Sequence, residues 1–277
     1  MKALVVTQPG SVKDHLQILH VDEPNPGEQD IIIKVHAAAV NPLDWKMAKL
    51  GFMVSAFPHR LGSDVSGLVT KVGPRVTEFK PGDAVYGKTT TGGFAEYTAL
   101  PAMLAVPKPT NLSHTQAATL PVAISTAALG LFHPSVGLGL APPSSHTAYF
   151  KPENSEYVTS LGAAHVFDSS LPPDELISKV KNVTLLSGLQ YALDCISPDT
   201  TSTLAARALK QGGSVVTITG PADVPRGIKL LVLGAGEPSL QPVQIIENGL
   251  QGLPDALELS SNGKVSGVKL VVPLVSA

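Results

Sequence analysis

Between Pro109 and Phe150 the chain carries no Asp, Glu, Lys or Arg, a run of 42 residues in a sequence of 277 of which 15% are charged. A stretch of that kind belongs either across a membrane or inside a protein core. A span needs about 20 consecutive apolar residues. Here Pro121, Pro134, Pro142 and Pro143, with several Ser and Thr side chains, interrupt the run. The expectation is a buried helix, TQAATLPVAISTAALGLF, started at Asn111–Leu112–Ser113 and followed by a Pro/Gly-rich connection, with no membrane partner.

The texture of the sequence changes on either side of this run. Residues 2–7, 16–21, 30–40, 64–72, 84–87 and 94–100 are rich in Val, Ile and Tyr and lie between turn signals such as EPNPGEQD, VGPRV and KPGD. They predict a barrel-like β domain. Further on, helices are expected at 153–161, 172–181, 200–211 and 252–262. Strands are expected at 164–167, 191–196, 214–219, 229–233 and 268–272. Alternation at this spacing predicts parallel βαβ units in a doubly wound sheet, hence an α/β protein. A length of 277 residues agrees with two domains of about 150 each.

Charge and cysteine content narrow the function classes. A formal charge of −2 leaves no basic footprint, which argues against nucleic acid as a partner. One cysteine, Cys195, excludes an internal disulfide and a cysteine-rich zinc site, and it fits a reducing, cytoplasmic setting. The apolar run in MKALVVTQPG is too short for a signal peptide.

The order of motifs is specific. NPLDWK (41–46), GSDVSG (62–67), GDAVYG (82–87), GGFAEYT (92–98) and AATLPVAISTAALGLF (117–132) are followed by SLGAAHVFD (160–168), YALDCIS (191–197), GGSVVTITG (212–220) and GKVSGVKLVV (263–272). In this order the chain resembles the medium-chain dehydrogenase/reductase superfamily, and within it the zinc-free quinone oxidoreductases and fungal trans-acting enoyl reductases. The resemblance implies a GroES-like β-barrel domain at 1–110 and 249–277 and a shortened Rossmann-like doubly wound parallel sheet at 111–248. It implies NADPH as cofactor and reduction of an α,β-unsaturated thioester held by a polyketide synthase. The partner would be a small-molecule or carrier-protein-bound acyl substrate, and the protein a monomer or homodimer.

The same resemblance assigns candidate site residues. Asn41, Leu43, Asp44 and Lys46 would lie against the nicotinamide half of the cofactor, with Lys46 reaching a phosphate, ribose or carbonyl. Thr126 would approach the carboxamide or the substrate. Lys46 and Thr126 are thus the catalytic candidates, against the plainer readings of a solvated loop lysine and a helix threonine bonded to its own backbone. Lys151–Pro152–Glu153–Asn154 stands where the branch has a Ser-Pro-x-Asn turn at the adenosine ribose. Lys151, Pro152 and Asn154 would bind there, Lys151 pairing with the 2′-phosphate of NADP or being an ordinary loop residue. Cys195 and Ile196 would end a strand beside the cofactor, with Cys195 an inert buried thiol, and Val265 and Ser266 would pass near it. Asp64 and the Gly82–Asp83 pair read as structural turn positions. The zinc branch carries a Cys near Pro42 or Leu43 and a His-Glu pair where Ser63–Asp64 stands; both are absent and the eight histidines show no ligand spacing, so no metal is expected.

One part of the family pattern is not there. A Rossmann domain opens with a strand, a glycine-rich turn and a helix whose first N–H groups hold the pyrophosphate. Only the 18 residues 133–150 stand where that unit belongs, whereas a βαβ unit takes about 30. Gly137–Leu138–Gly139 and Gly234–Ala235–Gly236 imitate a phosphate loop, but Pro142–Pro143 and Pro238 with Pro242 forbid the following helix. Residues 221–248 are likewise short of a substrate-pocket region. Two readings stand side by side: an NADPH-dependent enoyl reductase, with quinone or enone reduction as its variant, and a non-catalytic family member or product of a shortened gene model.

Overall fold

A computed structural model describes residues 1–133, 137–138, 147–150, 156, 159, 163, 165–184, 188–194, 199–217, 224–232, 243–265 and 268–274. The chain divides into two compact units, Met1–Ile124 with Ser239–Ala277, and Ser125–Pro238.

In the first unit β1 (Lys2–Val6), β2 (Leu16–His20) and β4 (His59–Arg60) form a small antiparallel sheet with β1 in the middle. The larger sheet runs β14 (Val243–Ile245), β15 (Lys269–Pro273), β3 (Asp30–Ala39), β5 (Asp64–Val72), β6 (Ala84–Lys88) and β8 (Ala105–Pro107), with β7 (Tyr97–Pro101) also paired to β3. Strand β3 decides where the core sits. Ile31, Ile33 and Val35 face the main core. The register with β5 then slips between Val35 and Ala37. Because side chains alternate with a period of two, one extra residue reverses the faces. Beyond the slip Ala38 and Val40 enter the main core, while Ala37 and Ala39 turn to a second cluster with Ala118 and Val271. Gly67, opposite Val35, allows this close pairing: a Cβ there would lie 2.0 Å from the Lys34 carbonyl oxygen.

Two helices follow the barrel strands. In α2 (His114–Ala117) the Ser113 hydroxyl accepts the Gln116 N–H while the Gln116 side chain accepts the Ser113 N–H, a reciprocal cap. Helix α3 (Pro121–Phe132) comes next. The 19-residue stretch His114–Phe132 contains an 18-residue window of mean hydropathy 1.3, long and apolar enough to cross a membrane, but half of that window is buried within the protein. The break at residues 118–120 divides it into two helices. Residues 111–124 belong to the first unit rather than beginning the second at 111, because α2 packs on β3 and β5.

Every described strand pair of the second unit is parallel. β9 (Thr147–Phe150) pairs with β10 (His165–Asp168), and β11 (Leu189–Asp194), β12 (Leu209–Thr217) and β13 (Lys229–Val232) pair in that order. Helix α4 (Pro173–Val183) buries Leu176, Ile177 and Val180 on one face, the spacing of an amphipathic helix. Helix α5 (Asp199–Arg207) ends earlier than the expected 211, since β12 begins at Leu209. Its first turn is held by Asp194, whose carboxylate accepts the Thr201 and Ser202 hydroxyls at 2.8 and 2.7 Å. Residues 156 and 159 are helical, and the rest of the helix expected at 153–161 lies outside the described residues. The first unit is thus built on mainly antiparallel sheets and the second on parallel strands with helices, together an α/β fold.

Candidate functional site

The NPLDWK segment is the start of a helix, so the plainer reading of Lys46 as a solvated loop lysine does not hold. Asn41 is the N-cap of α1 (Pro42–Leu50), Pro42 occupies its first turn, and Asp44 returns a carboxylate oxygen to the Asn41 N–H at 2.6 Å. These are ordinary helix-start chemistries: Pro lacks an N–H that would go unpaired there, and the acid satisfies one that would. The helix stops at Gly51, whose φ of 65° closes the last turn. Lys46 is half-buried, its ammonium 5.7 Å from the centre of the Trp45 ring, within cation–π range.

Beneath the start of α1 lies a buried polar node. The Asn41 side-chain amide donates to Asp64 Oδ2 at 2.9 Å, and the Lys269 ammonium donates to Asn41 Oδ1 and stands 3.6 Å from Asp64. Asp64 Oδ1 accepts the Val122 backbone N–H at 2.8 Å. The first turn of a helix leaves N–H groups without intrahelical partners, and Leu120, before Pro121, has no acceptor in its side chain. Asp64 supplies it from another strand, with its charge at the favourable end of the helix dipole. Four chain segments thus meet at one ion pair: the starts of α1, β5, α3 and β15. Burial pushes the Asp44 carboxyl up to about 7, opposed by the Asn41 N–H. Burial also raises Asp64, opposed first by Lys269 and then by the Asn41 amide and Val122 N–H.

The expected site residues fare differently. Asn41 and Asp44 are fully buried and Leu43 nearly so, and the Asn41 amide is taken up by Asp64 and Lys269. Thr126 is buried on α3, one turn beyond Val122. Val265 is half-buried and packs against the main core. Lys151, Pro152, Asn154, Cys195, Ile196 and Ser266 lie outside the described residues. Asp64, read from sequence as a turn residue, is the hub of the node, and Lys269 escaped notice altogether. The available signal was a lone lysine opening the apolar run KLVVPLV.

A second polar cluster clasps α2. Ser66 donates to the Val85 carbonyl at 2.9 Å and meets His114 Nδ1 at 2.8 Å, and the His114 ring lies 4.5 Å from that of His36, at the β3 slip. Burial, then the neighbouring His36 and Lys108, push His114 down to about 4. Burial and Lys34 lower His36 as well. Ser66 is fully buried with its proton directed at a carbonyl, so the pair holds structure and does not form a nucleophile.

Zinc and a dinucleotide would make different demands on these residues. For zinc, no group of three His, Cys, Asp or Glu comes together among the described residues. At Asp64 an ammonium already occupies the cation position, so the donor set does not suit a metal. For a dinucleotide, the doubly wound order is 3-2-1-4-5-6 with the pyrophosphate at the turn after strand 1. The described strands give β10-β9 and, separately, β11-β12-β13. They correspond to 3-2 and 4-5-6, β9 being the strand that Lys151–Pro152–Glu153–Asn154 follows. Among the described residues none pairs with both β9 and β11, the position of strand 1. Gly137 serves the end of α3 instead, where its N–H donates to the His133 carbonyl and that of Leu138 to Gly130, closing the last turn. Among the described residues, none forms the glycine-rich turn and helix start that a pyrophosphate needs.

Residues 27–110 match the Alcohol dehydrogenase GroES-like domain family. The zinc-binding alcohol dehydrogenase domain-containing protein cipB of Emericella nidulans is 31% identical over 299 aligned positions, covering 93% of this chain and 94% of its own. That alignment is longer than the 277 residues available, so cipB has internal residues without counterpart here. The trans-enoyl reductase himH of Aspergillus japonicus is 30% identical, covering 76% of this chain and 72% of its own. Among solved structures, the CurK enoyl reductase superposes with a TM-score of 0.80 at 18% identity, over 98% of this chain and 99% of its own, a likeness of fold.

Proposed function

This chain belongs to the medium-chain dehydrogenase/reductase superfamily of oxidoreductases, whose members use nicotinamide cofactors, and we propose that its reaction is the NADPH-dependent reduction of an activated C=C bond. The substrate of this reading is an α,β-unsaturated thioester, free or carried by a polyketide synthase, with a quinone or enone as the variant. The observation that carries it is the likeness to himH over three quarters of the chain. The geometry supports it at the first unit, where the ion-paired node sets the start of α1 and with it Lys46. Lys46 is the group we assign to the substrate carbonyl, since an ammonium stabilises charge developing on that oxygen. Thr126, on α3, is a separate candidate for the carboxamide or the substrate. We place the protein in the cytoplasm as a monomer or homodimer, a setting supported by its single cysteine.

A second reading, a non-catalytic family member, is favoured by the divided sheet of the second unit. One experiment separates them: the protein with millimolar NADPH and a crotonyl thioester, an enone or a quinone, products followed by mass spectrometry. The reductase reading expects saturated product, fastest with the thioester. Reduced product from none of the three, with cooperative unfolding proving a folded sample, would sink it.

A further inference from the structure

We infer that this chain lacks the pyrophosphate grip of its cofactor as one internal unit, so that NADPH is held only by its ends. The inference deepens the reductase reading and rests on it. Three independent observations converge. The parallel strands divide where strand 1 belongs, leaving β9 and β11 without a common neighbour among the described residues. The chain between α3 and β9 is already drawn on: Gly137 and Leu138 cap α3, and a Cβ on Gly137 would lie 2.0 Å from the Leu129 carbonyl oxygen. That leaves residues 139–146, which fully extended reach about 27 Å. They cannot supply a strand, a turn and a helix, which with the next strand take about 30 residues. Finally, the alignment with cipB runs over 299 positions while covering 93% of this chain of 277 residues, so cipB carries internal residues that this chain does not.

The other glycine pair does not restore the grip. Gly234–Ala235–Gly236 follows β13, the outer strand of its sheet, with β12 between it and β11. Pyrophosphates are bound where the strand order reverses, beside strand 1, because there adjacent loops diverge and open a crevice. Losing two or three charge-assisted hydrogen bonds to phosphate corresponds to about a thousandfold or more in affinity. The loss falls on reductant affinity and leaves the first unit untouched.

Calorimetric titration of the full chain tests this. NADPH should bind no more than about tenfold tighter than adenosine 2′-monophosphate, which has no pyrophosphate. NADPH binding at micromolar concentration, more than about a hundredfold tighter than that fragment, would overturn the inference. A chimera carrying the corresponding internal segment of cipB between Phe132 and Thr147 should gain about a thousandfold for NADPH. A folded chimera with no gain also overturns it, and if the chimera does not fold, the fragment comparison decides alone. A chimera that binds NADPH tightly yet reduces none of the three substrates defeats the reductase reading and leaves this inference standing.

Discussion

Asp64 Oδ1 accepts the backbone N–H of Val122 at 2.8 Å, so a carboxylate at the start of β5 caps a helix that begins more than fifty residues later. The same carboxylate faces Lys269, at the start of β15, and the Asn41 amide, at the start of α1. The geometry around Lys46 therefore depends on a contact that no local stretch of sequence contains.

Removing one member of this node leaves a buried charge without its partner. Asp64→Ala should cost about 3–5 kcal/mol in urea unfolding, as should Lys269→Met. The double variant should cost clearly less than the two together, because neither charge is then stranded. Additive losses would show that the pair is not coupled.

Asp44 gives the fold a pH dependence of defined sign. Its carboxyl rises from 3.8 to about 7 on folding, mainly through burial. The fold thus favours the protonated form, and the stability it contributes is complete below pH 3.8 and lost as pH rises through 7. Asp44→Asn keeps an acceptor for the Asn41 N–H and cannot ionise. The urea midpoint of the variant should therefore gain on the wild type between about pH 4 and about pH 8, and parallel curves would refute the assignment.

His114 works in the opposite direction. Burial lowers it from 6.5 to about 4, so stability is present above pH 6.5 and is lost as pH falls through 4. His114→Gln should flatten the acid limb of a thermal-melting profile, and the ring resonance of His114 should titrate near 4. A midpoint above 6.5 would mean that the ring is neither buried nor clasped as described.

Lys46 should separate chemistry from folding. Lys46 is only half-buried, so Lys46→Ala should still unfold cooperatively in urea as a folded protein. Turnover of an enoyl thioester should fall about a hundredfold, as for loss of one donor to a developing oxyanion. Equal turnover would return Lys46 to the role of a surface lysine.

The fold is legible in the sequence wherever the information is local or can be counted. The strands of the barrel and the parallel units follow from period and turn chemistry. That strand 1, its turn and its helix have too little room follows from counting the residues between Phe132 and Lys151. Helix α1 has a local signal too, since Asn41, Pro42 and Asp44 are a helix start, which the reading of Lys46 as a loop lysine overlooks. The node is not legible because Asn41, Asp64, Val122 and Lys269 are brought together only by the pairing of β15 with β3 and of β3 with β5. Strand β14 could not be foreseen either, since its three residues pair, among the described residues, with β15 alone.

The absence of charge around α3 has an analytical consequence. Trypsin cuts after Lys and Arg but not before Pro, and the lysines that bracket the run, Lys108 and Lys151, are each followed by proline. A complete digest therefore releases residues 89–179 as one peptide that contains α3, its glycine cap, the short connection and β9. The mass of that peptide from natural material measures the length of the connection, and any additional strand, turn and helix would appear there as added mass.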